Sequence, residues 1–396
     1  MTRGYSVPEV GQAYNRAHAL CQQLGDTSQL FPVLLGLFRF YVARPENQTA
    51  RQLGEQLLRV AEQSHDAAAL VMAHYALGHC LFQLGEQELA RAHFEQGIAR
   101  YDPEQHRSLT FRSGDDPGVS CHAMRSVVLW MLGYPDQVLT QGQEAISLAK
   151  ELAHPSTQAF AILWRAFLSM FRREAAAAQE WAEQAMTLYR EHGMAFFLDM
   201  VMITRGWALA LQGRGEEGIA EIRQSLTALH AQGAEIGWTA WHGMLAQVYE
   251  AGGQREEGLT AVAEGLALVE RIAERMWEAE LYRLKGELTL QQEGKEQGAK
   301  SKEQESENPN PKSQILNPSP QGEAEACFHQ AIAIARQRST KSWELRATVS
   351  LARLWQQQGK RAEAHQMLAE IYSWFTEGFD TKDLQEAKAL IEELSH

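Results

Sequence analysis

The chain has 396 residues, 45% of them hydrophobic, and a formal net charge of −13 from 50 acidic against 37 basic side chains. That length exceeds one ordinary compact domain, so several domains or a repeat array are expected. The acidic balance opposes phosphate backbones and anionic lipid, which need dense Lys/Arg surfaces, so neither nucleic acid nor a membrane is an expected partner.

The opening stretch, "MTRGYSVPEVGQAYNRAHAL", has no apolar segment of the kind that directs secretion. No apolar run reaches the length a membrane span needs, and "MAFFLDMVMI" is broken by Asp199. We therefore expect a cytoplasmic chain. Cys21, Cys80, Cys121 and Cys327 lie far apart with no CxxC pair, which suits small buried hydrophobes better than a zinc or redox site. Apolar residues recur at i, i+3, i+4 and i+7 almost throughout, and no alternating Val/Ile/Thr run occurs. The predicted class is all-α.

Residues 6–24 read as a helix with no partner before it. A solenoid that starts in mid-hairpin exposes an apolar face, so this helix is either an unusual cap or the sign that the chain is the tail of a longer product. From there a frame repeats. Around Gly85 it comprises Gly78, Leu81, Ala90 and Phe94; around Gly213 it comprises Gly206, Leu209, Gly218 and Ile222. Copies follow at Gly253 and Gly359, weaker ones at Gly133 and Arg172, and Pro45 takes the glycine's place in an early one. A period of about 40 residues in a helical sequence means stacked helical hairpins. The first small residue lets helix A approach helix B, and the anchor glycine ends helix A in the left-handed region. Phe94, Ile222 and Leu368 are expected to plug into the neighbouring hairpin.

Two segments interrupt the frame. Residues 101–119 form a long loop between repeats, with Asp116-Pro117-Gly118 as strong turn chemistry. Residues 294–321, within "EGKEQGAKSKEQESENPNPKSQILNPSPQGE", lack aromatics and are rich in Glu, Lys, Gln, Ser, Asn and Pro. Such a composition predicts a disordered insertion inside one hairpin, between helix A (281–290) and helix B (323–336).

No catalytic pattern emerges. "GRGEEG" (Gly213–Gly218) spells a dinucleotide fingerprint, but it lies between two helices with no strand before it, so its glycines belong to the turn. There is no GxxxxGK[ST], no HExxH and no GxSxG; His74 and His79 are five apart and diverge around a helix. We expect no enzyme activity, no cofactor and no metal site.

The order small–aromatic–turn glycine–small–aromatic resembles the tetratricopeptide (TPR) motif, and the resemblance implies a right-handed TPR-like α-solenoid of about seven hairpins. Its A helices would line a groove. Counted from the small residue, inward positions include Tyr75, His79, Phe82, Trp130, Trp207, Gln247, Glu250, Arg283, Glu287, Arg346, Arg353 and Gln356. The Lys and Asn of carboxylate-clamp TPRs are missing there, so the resemblance points to an extended or helical peptide or a protein partner in the concave groove, held by apolar anchors. "CQQLGDTSQLFPVLLGLFRFY", "DDPGVSCHAMRSVVLWMLGYPDQVL" and "LARLWQQQGKRAEAHQMLAEIYSWFTEGFDTKDLQEAKALIEEL" also resemble the C-terminal solenoid of bacterial multidomain signalling proteins. In those a cyclase or kinase domain precedes a STAND-type ATPase. That resemblance implies a non-catalytic interaction scaffold or sensor in signal transduction, with an ATPase or cyclase module among its partners. The alternative is a solenoid that senses a peptide or a small ligand, as in TPR-type regulators.

Overall fold

The computed structural model describes residues 7–24, 29–106, 110, 114–233, 236–300 and 319–396, without the side chains of 195, 196 and 292–300. Helices dominate, and no strand occurs among the described residues. α1 (Pro8–Leu24) comes first and packs on α2 (Leu30–Ala43), whose hairpin partner is α3 (Asn47–Ser64). The second hairpin is α4 (Ala67–Gln83) with α5 (Gln87–Arg100). After a short α6 (Pro103–His106), the third pairs α7 (Pro117–Leu132) with α8 (Pro135–Leu152), and the fourth α9 (Pro155–Phe171) with α10 (Ala175–Glu191). The fifth and sixth are α11 (Ala195–Leu211) with α12 (Gly215–Ala231) and α13 (Trp238–Ala251) with α14 (Arg255–Ile272). The seventh joins α15 (Glu278–Lys300) to α16 (Pro320–Gln337), and the eighth α17 (Lys341–Gln357) to α18 (Arg361–Trp374). α19 (Lys382–Leu394) ends the stack. The described residues thus form eight hairpins, one more than expected.

The small residues of the frame do what their size suggests. A Cβ on Gly206 would lie 2.7 Å from the Gly218 carbonyl oxygen, and one on Gly218 would lie 2.2 Å from the Gly206 oxygen, so two helix backbones touch there. In the second hairpin the close approach is of a different kind. The Phe94 ring lies over Gly78 of its own hairpin, 2.8 Å from where a Cβ would be, and Phe328 lies over Gly286 in the same way. Phe94 therefore packs first inside its hairpin, where it is fully buried, rather than reaching only to the next.

The weak anchor also shifts. The left-handed residue that ends helix A of the fourth hairpin is Arg173 (φ 63°), not Arg172. With Arg173 in the frame, the anchors Gly133, Arg173, Gly213 and Gly253 stand at even intervals along the chain.

Of the 101–119 segment, residues 103–106 are helical and α7 already begins at Pro117. Asp116 caps it, accepting from the Val119 N–H at 3.0 Å and from the Tyr101 hydroxyl at 2.8 Å, while its own N–H donates to Thr157 Oγ1 at 3.1 Å. These bonds tie the segment to the fourth hairpin. The insertion predicted at 294–321 falls largely outside the described residues; α15 continues through 294–300, and α16 starts at Pro320 with Ser319 Oγ accepting from the Gly322 N–H.

The stack then meets itself. The A–B turns of the first four hairpins dock on connections far along the chain. Asn47 Nδ2 donates to the Ile272 carbonyl at 3.0 Å; the Arg275 N–H donates to the Gln83 carbonyl at 2.8 Å; and Arg338 Nη1 donates to the Leu84 carbonyl at 3.1 Å. Ser342 donates to the Trp130 carbonyl, the Asp136 N–H to Glu377, and the Gly378 N–H back to Asp136. Buried Glu274 accepts from Gln83, from the Gly237 N–H and from both the N–H and the hydroxyl of Thr239. Behind this seam lies an aromatic cluster. Trp130, Phe171, Trp277 and Trp343 sit with ring centres 4.8–5.9 Å apart, all buried. Aromatic faces carry large buried areas and prefer such tilted or edge-on contacts, so this cluster is a major part of the closure.

Candidate functional site

The positions expected to line one continuous groove separate. Tyr75 and His79 stack on each other along α4, half-buried, with ring centres 6.1 Å apart. Burial lowers the His79 imidazole to about 4, so it is neutral at pH 7. Phe82 is 1% exposed and packs edge-on against Trp164; Trp130 is in the aromatic cluster. The chain itself covers these two rings. Gln356 lies at the far end, donating to Glu393 on α19. The remaining five, Trp207, Gln247, Arg283, Arg346 and Arg353, meet in a single cleft of about 310 Å³.

Consecutive A helices bring them there. Each contributes the same face, because residues three and four apart stack on one side of a helix. Trp207 Nε1 donates to Gln247 Oε1 at 2.9 Å, and Gln247 Nε2 donates to Glu280 Oε1 at 2.9 Å. Arg283 grips Glu280 with two bonds of 2.8 and 2.9 Å and reaches Glu287 at 3.3 Å. Ser350 of α17 donates to the same Glu287 oxygen. Burial works against the Glu280 charge, but Arg283, Arg346 and the Gln247 bond outweigh it and hold the carboxyl below its ordinary range.

The opposite wall belongs to the C-terminal end. Arg346 donates to Asp383 at 2.7 and 2.9 Å and to the Phe171 carbonyl, with its guanidinium 4.8 Å from the Trp130 ring centre and 5.1 Å from that of Trp343. Arg173 donates to Asp383 at 3.1 Å and to Glu386 at 2.8 Å, and Arg353 approaches Glu386 at 3.8 Å. Burial opposes the Asp383 charge as well, yet Arg346 and Arg173 keep its pKa below the usual carboxylate value. Arg173, Asp383 and Glu386 were missed from sequence, since they sit on a turn and on the terminal helix, outside the inward-facing offsets of the A helices.

Glu250 differs from every other acid of the cleft. Burial pushes its carboxyl up to about 7, against the pull of Arg283 and Arg173 and with the push of Glu287 and Glu280. No hydrogen bond or ion pair reaches that carboxylate among the described residues. Nothing in the cleft resembles a nucleophile–base pair, and no group of three or more His, Cys, Asp or Glu side chains among the described residues is arranged to hold a metal.

The sequence matches no family model and no curated protein. Solved structures are similar in fold. A Rap protein complexed with Competence and Sporulation Factor aligns over 83% of this chain and 86% of its own, with a TM-score of 0.52 at 11% identity. A Signal Transduction ATPase with Numerous Domains (STAND) protein with a tetratricopeptide repeat sensor, from Pyrococcus horikoshii, aligns over 98% of this chain and 55% of its own, with a TM-score of 0.41 at 13% identity. Yeast Tom70 aligns over 98% and 96%, with a TM-score of 0.34 at 10% identity. The fold is a TPR-like α-solenoid. No described helix is long and apolar enough to cross a membrane.

Proposed function

We propose that this chain is a non-catalytic sensor and interaction module of cytoplasmic signal transduction. It takes a short peptide or a small polar ligand in the charged cleft and passes occupancy on through the seam. One observation carries the reading: the cleft is walled by residues from both sides of the seam, Met170 and Arg173 of the fourth hairpin on one and Arg346, Asp383 and Glu386 of the C-terminal end on the other. A ligand that touches both walls binds the closed superhelix better than an open one, and that differential affinity is what shifts a conformational equilibrium. The filled inner face favours a small ligand over a protein helix in a long groove, because Phe82 and Trp130 are already covered. The Rap protein was solved with a bound factor, which supports the same direction. The output partner is then another protein, an ATPase or cyclase module being the one implied by the resemblance.

A thermal-shift screen of the full chain against tripeptides and small polar compounds tests this. Ala251 is exposed and lines the cleft, so Ala251→Trp should block the site without touching the core. Ligands should raise the melting temperature of the wild type and not of Ala251→Trp. Equal shifts in both proteins, or none in either, would remove the cleft as the sensing site.

A further inference from the structure

We infer that the cleft selects a compact cation, an ammonium or guanidinium on an apolar stem, with Glu250 as its counter-charge. The inference rests on the reading of the cleft as a ligand site. The charges of the cleft are otherwise spoken for. Arg283 is held by Glu280 and Glu287, Arg346 by Asp383, and Arg173 by Asp383 and Glu386. Arg353, half-exposed at the rim, is within 3.8 Å of Glu386. Glu250 alone keeps an uncommitted carboxylate, and five acids (Glu250, Glu280, Glu287, Asp383, Glu386) stand against four arginines (173, 283, 346, 353) around one small volume. An added anion would meet that excess, whereas an added cation cancels it. Buried charges persist when paired, so a cation on Glu250 relieves the one unpaired charge of the site.

The rest of the wall suits a stem. Met170, Leu211, Leu345 and Val349 line the cleft beside Trp207. A site of about 310 Å³ is at the small end for ligand pockets and takes one basic side chain or a small amine rather than a protein element. The groups facing Glu250 from the elements packed on it are Arg283, Glu287 and Glu280 of α15 and Arg173 of the fourth A–B turn. Both arginines are already paired and stay charged across the pH range of interest. The ionisation that changes near neutrality is that of Glu250, about 7. Its proton leaves as pH rises, so the counter-charge for a cation grows from pH 6 to pH 8.

Isothermal titration of the full chain with isoamylamine and with the blocked tripeptide acetyl-Leu-Lys-Leu-amide tests the inference. Isoamyl alcohol and acetyl-Leu-Met-Leu-amide serve as neutral counterparts, and isocaproate as the anion. At least one cationic probe should bind, up to about tenfold more tightly at pH 8 than at pH 6 as Glu250 ionises. Its neutral counterpart and the anion should bind at least tenfold more weakly. Glu250→Gln, folded by circular dichroism, should lose that preference and the pH dependence together. Binding of the amine alone, or of the peptide alone, tells a free amine from a basic peptide side chain as the source and upholds the inference either way. Neutral or anionic probes that bind as well as the cations, with binding still lost in Ala251→Trp, would overturn the charge selection and leave the cleft standing as a site. Unchanged cation affinity in Glu250→Gln would overturn the role of Glu250. No binding by any probe would overturn both.

Discussion

The turns that end the A helices fall into two groups. In hairpins five, six and eight, Gly213, Gly253 and Gly359 take φ of 90°, 65° and 79°, and a Cβ added there would meet nothing within 4 Å. In hairpins two, three and four, Gly85, Gly133 and Arg173 have the same left-handed backbone but touch the far wall. Gly85 lies against Arg338 and Arg275, Gly133 against Trp374 and Lys341, and Arg173 reaches Asp383 and Glu386. The local task is shared: reverse the chain and start helix B. Only the second group also joins one end of the stack to the other. Arg173 shows the difference most clearly. It accepts a conformation that disfavours a side chain, and the side chain it keeps there makes the ion pairs of the seam.

Breaking the seam at its most buried ion pair, Arg346 with Asp383, should have the largest effect. Arg346→Met keeps much of the side-chain volume but leaves Asp383 with Arg173 as its remaining partner and removes the cation from the two indoles. Removing one member of a buried pair costs about 3–5 kcal/mol, and urea unfolding should show a loss of that order. Arg214→Met, at the open turn of hairpin five, removes an exposed i,i+3 pair with Glu217 and should stay within about 0.5 kcal/mol of wild type. Similar losses in the two variants would mean that the seam adds nothing the surface does not.

The glycines separate the two groups next. Gly213→Ala should cost about 1–2 kcal/mol for a left-handed alanine. Gly133→Ala carries that cost and an overlap besides, since its Cβ would lie 2.5 Å from the Trp374 ring and 2.8 Å from Lys341 Cβ. Overpacking adds about 1–3 kcal/mol. Matching melting temperatures for the two variants would show that the contact of the third turn with Trp374 is slack. At Arg173 the conformational and ionic contributions can be read apart. Arg173→Ala loses the ion pairs and keeps the strain, whereas Arg173→Gly loses the pairs and relieves it. The glycine variant should be the more stable of the two by about 1 kcal/mol. Equal stability would deny any strain at that turn.

The hairpins were legible because each repeats one interface. A small residue under a ring, as Gly78 lies under Phe94 and Gly286 under Phe328, leaves the same spacing in the sequence every time. Inward-facing positions came from the offsets that the TPR resemblance implies, and of these Trp207, Gln247, Glu250, Arg283, Arg346 and Arg353 line one cleft. What those offsets could not carry is the closure. Arg173 and Asp383 are 210 residues apart, and no local period encodes such a pair. Tyr75, His79, Phe82 and Trp130 share the offset but lie where the stack covers itself or away from the cleft, so a face that points inward need not be open. The left-handed residue at 173 was misplaced by one because an arginine there gives no glycine to mark the turn.

The seam makes a last expectation sharp, and its effect on stability is the smallest. The composition of 294–321 predicts a disordered insertion, and a protease should cut there first. A cut divides the chain into a piece ending after α15 and a piece from α16 to α19. The second piece holds Arg338, Ser342, Trp343, Arg346, Glu377 and Asp383, all bonded or packed to hairpins two to four. It also packs α16 on α15 through Phe328 and Gly286. Shortening a long surface connection changes stability little, because closure entropy grows only logarithmically with length. Deleting 294–319 should therefore leave the melting temperature unchanged or slightly higher, and the nicked wild type should elute as one species without denaturant. The nicked Arg346→Met protein should separate into two fragments at lower denaturant than nicked wild type. Dissociation of the wild-type fragments without denaturant would mean that the seam and the α15–α16 contact cannot hold the stack together, and a first cut elsewhere would place the weakest segment outside 294–321.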